Sequence, residues 1–355
     1  MSAHETVISP PVPTNPFGWI RNETFDVTLI MGVAGLSLIS GWLICLYPEL
    51  FPRILFMDLW FLGYHHVVAT FTRLTFDMDS YREHKFLVVW VPIILVAVLV
   101  PLVYLLGSWI LATGYLYWQW YHYMRQSFGI SRVYQRKAGL HSARDNYLEE
   151  AVIYSVPVWG ILYRSFQNPG TFLGLPLKVI PVPPELVKAV GILTIIILGV
   201  WLGTKLLAFT QQRLAVAHTL YQTSHILVFW TAYILIPDLN VGWLVMNIWH
   251  NAQYVLFVWM YNNHRFKKGV DPAHWFLSTI SQTQNKFLYF GVCIFIAGLV
   301  YKMIDLFLVY FKAPVLPFAV LVYQTINFHH YIVDGVVWKI RKKPIQQTLG
   351  LTAPV

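Results

Sequence analysis

Two histidines and an aspartate interrupt an otherwise apolar stretch, Asn327-Phe328-His329-His330-Tyr331-Ile332-Val333-Asp334, which lies between Pro314 and the basic end Trp338-Lys339-Ile340-Arg341-Lys342-Lys343. Ionisable side chains at membrane depth are costly and mark functional sites. Residues four apart share a helix face, so His330 and Asp334 align while His329 points elsewhere. Earlier apolar runs carry His65 and His66, then His122, then His250. Imidazole is a ligand for iron, copper, zinc and nickel, so four such places could close around one ion. In each doublet only one histidine can face that point, because neighbouring helical residues diverge by about 100°.

The elements that must position these side chains follow from composition. The chain has 355 residues, 57% hydrophobic and 12% charged, whereas soluble domains carry about a quarter charged residues. This predicts an all-α, polytopic transmembrane helix bundle. Ten helices are expected, at roughly 27–48, 56–76, 86–108, 109–128, 148–165, 187–209, 218–236, 241–261, 287–311 and 315–338, each able to cross a hydrocarbon core of ~30 Å. Leu106-Gly107-Ser108 reads as a tight turn, and Pro157 as a kink or a partial insertion of the fifth helix. Residues 1–26 form a polar, Pro-rich tail with no signal-peptide pattern. Residues 27–343 form one transmembrane domain, and 344–355 a C-terminal tail.

Charge distribution sets the expected orientation. Of the 25 Lys and Arg, 19 fall in the tail and alternate loops that share its side, and 5 in the opposite loops. By the positive-inside rule both termini are cytoplasmic, in a bacterial inner membrane. The net charge of +9 is then topogenic and faces membrane lipid, so nucleic acid is not an expected partner. Cys45 and Cys293 both lie in apolar runs, which excludes a disulfide framework and a thiolate cluster.

On this topology His65/66, His122, His250 and His329/330 fall on the second, fourth, eighth and tenth helices, all between the midplane and the cytoplasmic face. The expected metal ligands are His66, His122, His250 and either His329 or His330. Asp334, the one acid read as near the site, is expected to orient a ligand from outside the metal. Gln126, Tyr254, His65 and His264 are candidates for the same role. His218 and His225 read as histidines that hydrogen-bond a Ser, Tyr or carbonyl across a helix interface. His4, His84, His141 and His274 read as loop or interfacial. Arg73, Arg125, Arg132 and Arg265 sit at the inner ends of the same helices, as anchors or as holders of a polar head group.

The histidine segments resemble the Brp/Blh family of membrane carotene-cleaving oxygenases. Gly63-Tyr64-His65-His66 is similar to its Gly-x-Pro-His and implies His66 as a ligand. His122, with Phe128-Gly129 later, loosely echoes His-Phe-Gly. His250 with Tyr254 stands where the family has His-x-x-x-His. His329 to Asp334 keeps the spacing of Pro-His-x-x-x-x-Asp without the proline, which implies His329, while the one-turn offset to Asp334 points to His330. The resemblance implies non-haem iron, dioxygen as co-substrate, and an apolar carotenoid, isoprenoid or acyl substrate taken from the bilayer. The alternative from another class is a haem- or pigment-binding subunit of a larger electron-transfer or photosynthetic complex. A proton-coupled transporter is a third reading, against which the halves show no matched repeat.

Overall fold

The computed structural model describes residues 13–76, 78–140, 146–310 and 315–351. His4, His141 and the first twelve residues of the expected tail lie outside these. Among the described residues the chain is helical, apart from a two-residue hairpin pairing Thr171–Phe172 with Leu175–Pro176. Its long helical runs are α1 Glu23–Leu46, α2 Pro48–Thr72, α3 Phe86–Leu106, α4 Trp109–Lys137, α5 Asn146–Gln167, α6 Pro184–Thr210, α7 Val216–Trp230, α8 Leu239–Arg265, α9 Lys286–Tyr310 and α10 Val315–Val337. Five of them, α1, α2, α3, α6 and α9, are long and apolar enough to cross a membrane. The protein is an integral membrane protein.

Several boundaries differ from the sequence expectation. α1 starts at Glu23, where the Asn22 side chain accepts the Phe25 N–H, an N-cap that satisfies an orphan donor. Asp26 is buried and accepts from the Ile20, Arg21 and Asn22 amides and from the Tyr134 hydroxyl. Polarity there serves a folded turn, not a tail. α4 runs nine residues past 128 to Lys137 because Ile130, Val133 and Tyr134 still have a core to fill. Residues 343–349 form a short helix whose Ile345 and Leu349 are buried, so part of the expected C-terminal tail is packed. Gly107, at φ +89°, makes the sharp turn between α3 and α4, a conformation that suits a residue without Cβ.

α8 is the axis of the bundle. It is buried on nearly every side from Leu239 to Asn262 and packs against α1, α2, α4 and α7. A helix covered all round can carry polar side chains only if its neighbours satisfy them. Its face Asn247, His250, Asn251, Tyr254 follows the i, i+3, i+4, i+7 pattern of one helical stripe.

α2 meets that stripe through a change of phase. Its segment Leu59–Gly63 is a single π turn, which accommodates one extra residue. Eight residues of plain α-helix would leave Asp58 and His66 about 80° apart; with one residue absorbed the offset falls to about 20°. Asp58 therefore faces Asn247 and Asn251, and His66 faces His250 and Tyr254, from the same side of α2.

α5 enters the bundle as a continuous helix with Pro157 inside it. At the far end of α5, buried Arg164 donates to the carbonyls of Ala232, Ile236 and Pro237, in and just after the π turn Thr231–Leu235 that continues α7. Those are the carbonyls that a helix terminus leaves without partners.

Candidate metal centre

His66, His122, His250 and His330 meet at one point. All four are buried, and each offers a ring nitrogen within 4.8 Å of the others. His66 comes from α2, His122 from α4, His250 from α8 and His330 from α10. The Nε2 atoms of His66 and His330 are 2.6 Å apart, and those of His330 and His122 3.2 Å.

Hydrogen bonds alone cannot satisfy this arrangement. A ring nitrogen of neutral imidazole is either a donor with one N–H or an acceptor with one lone pair. His330 Nε2 faces two other Nε2 atoms at once, so at least one close contact between nitrogens is left without a proton to share. A cation at the centre satisfies all the lone pairs together. Ligand atoms about 2.1 Å from one ion lie roughly 3 to 4.2 Å apart, so the His66–His330 pair would open by a few tenths of an ångström. The buried four-histidine group can hold a metal ion.

The tautomer of His330 follows from its partners. Trp338 Nε1, which can only donate, lies 3.0 Å from the Tyr254 hydroxyl. Tyr254 donates to Asp334 Oδ1 at 2.7 Å and so must accept from Thr70, whose Oγ1 is 2.8 Å away. Thr70, having given its proton to Tyr254, accepts from His330 Nδ1 at 2.8 Å. With Asp334 as a carboxylate each step is forced in turn, and His330 Nε2 is left with its lone pair facing the cluster.

Asp334 is buried, and its second oxygen lies 3.6 Å from His330 Nε2 and 3.8 Å from His122 Nε2. Those spacings exceed a hydrogen bond and fall within the range for two ligands of one ion. Asp334 thus stands beside two of the four histidines, outside the four-histidine group itself.

Other expected residues are elsewhere. His329 turns away, its Nε2 2.7 Å from the Leu87 carbonyl and its ring stacked on Phe71. The helical offset to Asp334 therefore prevails over the spacing that favoured His329. His65 contacts the Phe61 carbonyl and the edge of Phe290. His264 bonds the Thr348 backbone at the end of α8, far along the helix from His250. Gln126 donates to the His250 carbonyl at 3.2 Å, Tyr254 to Asp334 and Asn251 to Asp58. None of these three bonds a cluster imidazole; Thr70, one turn after His66, does.

Sequence reasoning missed Thr70 and a second carboxylate. Asp58 is buried and accepts from Asn247 Nδ2 at 2.5 Å and Asn251 Nδ2 at 3.5 Å. Asn247 also accepts from Tyr123 and Gln119, and the Tyr123 ring lies 4.2 Å from that of His250. The signal was present, since an acid inside an apolar run marks a site by the same rule that picked out Asp334.

A cavity of about 550 Å³ adjoins the cluster between α4 and α10. His122, Gln126, Tyr254 and Asp334 form its inner wall, and exposed Tyr121 and Gly335 lie at its rim. Comparison with family models, with curated proteins and with solved structures finds no match for this chain.

Arg125 and Arg132 line the same cavity. Arg73 instead lies over the rings of Tyr261 and Trp338, and Arg265 over Phe266.

Proposed function

We propose that the chain is a membrane-embedded metalloenzyme, a non-haem iron oxygenase that acts on a substrate with an apolar body. The observation that carries this reading is the convergence of four buried imidazole nitrogens, with an adjacent carboxylate, on a point that opens into a cavity. Ten spans with both termini cytoplasmic, in a bacterial inner membrane, complete the proposal, and the similarity to Brp/Blh oxygenases supports it.

His66, His122, His250 and His330 would hold the ion, with Asp334 beside them. Iron with nitrogen and oxygen ligands and open positions supplies dioxygen activation when bound. The Thr70–Tyr254–Asp334 chain holds His330 in the ligating tautomer. Trp118, Tyr331 and Trp338 wall the cavity with aromatic surface, which keeps water from the reacting centre. Tyr254 and Asp334 are the groups placed to hold or pass a proton beside it.

The cluster favours a single ion over haem. With four imidazole nitrogens within 4.8 Å of one another, a macrocycle held between any two of them would overlap the other two rings.

Metal analysis and an optical spectrum of the purified protein test the proposal. One iron per chain is expected, with no strong visible bands. A metal-free protein, or one carrying a tetrapyrrole, overturns it.

A further inference from the structure

The cavity is basic at one end and reaches the histidine cluster, past aromatic walls, at the other. Arg125, Arg132 and Arg136 from α4 and Lys339 and Arg341 from the segment just after α10 all line it. Arg125 donates to Tyr154 and Arg132 to Gln135. Among the described residues, no carboxylate forms a close ion pair with any of the five, and Glu150 acts on Arg132 only at longer range. Basic residues at helix ends ordinarily anchor in lipid head groups. Here α4 and the segment after α10 bring five of them to the lining of one half-open cavity, and both helices also carry cluster histidines.

We infer that this cavity binds a single-chain amphiphile with an anionic head, a carboxylate or phosphate, the head held by the arginine-rich mouth and the chain laid toward the four histidines. The inference rests on the metal-centre reading and names the substrate class for it. A fork-shaped guanidinium matches carboxylate and phosphate oxygens. About 550 Å³ is the size of site that encloses a small ligand, with room for one chain. Arg132 lies ten residues beyond His122 on the same helix, which is ~15 Å along its axis. An extended chain advances ~1.2 Å per bond, so the carbon brought to the cluster is about a dozen bonds from the head.

The test uses full-length protein in discs of zwitterionic lipid, with palmitate, hexadecyl phosphate, hexadecanol and inorganic phosphate as probes. Palmitate and hexadecyl phosphate should bind, and hexadecanol about tenfold more weakly, since hydrogen bonds to charged groups are worth that much or more. Arg132→Gln with Arg136→Gln should weaken palmitate about tenfold, while the corresponding Lys pair keeps most of the affinity. Equal binding of hexadecanol, or no change in the Gln pair, overturns the inference. So does displacement of palmitate by inorganic phosphate at similar concentration, which would mark a free-anion site. Metal content, measured on the same samples, separates the two readings. Palmitate binding without metal removes the metal centre and leaves the amphiphile site; metal without palmitate binding does the reverse.

Discussion

His225 and the four clustered histidines are alike in burial and opposite in what surrounds them. Pro157 has no N–H, so the carbonyl of Ile153, one turn earlier, loses its helical partner. His225 Nε2 fills that place at 2.9 Å. Its Nδ1 then accepts from Ser127 Oγ at 2.7 Å, and Ser127 accepts from Tyr221 at 3.1 Å. Each ring nitrogen of His225 thus has a partner of the complementary kind. The cluster has no such solution, because His330 Nε2 faces both His66 and His122. Burial of histidine is therefore not the mark of a metal site. The mark is a set of lone pairs that protein groups alone cannot satisfy.

The largest expected effect breaks the comparison outright. His122→Ala or His250→Ala should abolish metal retention through purification, a greater loss than the ~10–100-fold that removing an outer partner costs. His225→Ala should leave metal content at the wild-type level. Metal analysis of the three proteins decides; equal metal in all of them would mean the cluster is only another interface.

Asp334→Asn comes next. If the carboxylate is a ligand, metal affinity should fall at the upper end of ~10–100-fold or beyond; if it acts only through Tyr254, at the lower end. Thr70→Val should cost about tenfold, because His330 loses the acceptor that fixes its tautomer. Competition with a chelator measures both. A Thr70→Val protein with unchanged affinity would detach the hydrogen-bond chain from the site. His329→Gln should leave affinity untouched, since that ring serves the Leu87 carbonyl.

Most of this cluster is legible in the amino-acid sequence. Polar residues are so costly at membrane depth that their positions stand out, and common depth on alternate helices groups His65/66, His122 and His250, with His66 taken from its doublet by the family spacing. Between His329 and His330 the sequence leaves both open, helical phase relative to Asp334 favouring His330 and the family spacing His329, and the structure decides for His330. Thr70 is illegible because threonine is common in apolar helices and only its partner gives it meaning. Asp58 escapes notice because its alignment with His66 depends on the π turn at Leu59–Gly63, and no periodicity of 3.6 reveals a residue absorbed within a helix. The basic cavity is half legible. Arg125 and Arg132 are candidates for holding a head group, but Arg136, Lys339 and Arg341 look like ordinary helix-end anchors. Helix count is harder, since α8 is too polar to read as lipid-facing and owes its burial to its neighbours.

The smallest expected effect sharpens the account of His225. Replacing it with Leu leaves the Ile153 carbonyl without a partner and the Ser127 hydroxyl proton without an acceptor, at a cost of ~1–3 kcal/mol. Pro157→Ala changes that sum, because the substitution restores a backbone N–H one turn after Ile153 that can donate to the same carbonyl. In the Pro157→Ala background, His225→Leu should therefore cost less, by about 1 kcal/mol. Reversible unfolding in mixed detergent micelles gives the four stabilities of this cycle. Equal costs in the two backgrounds would show that His225 is not there to serve the carbonyl that proline leaves open. The contrast with the four-histidine cluster would then need another cause.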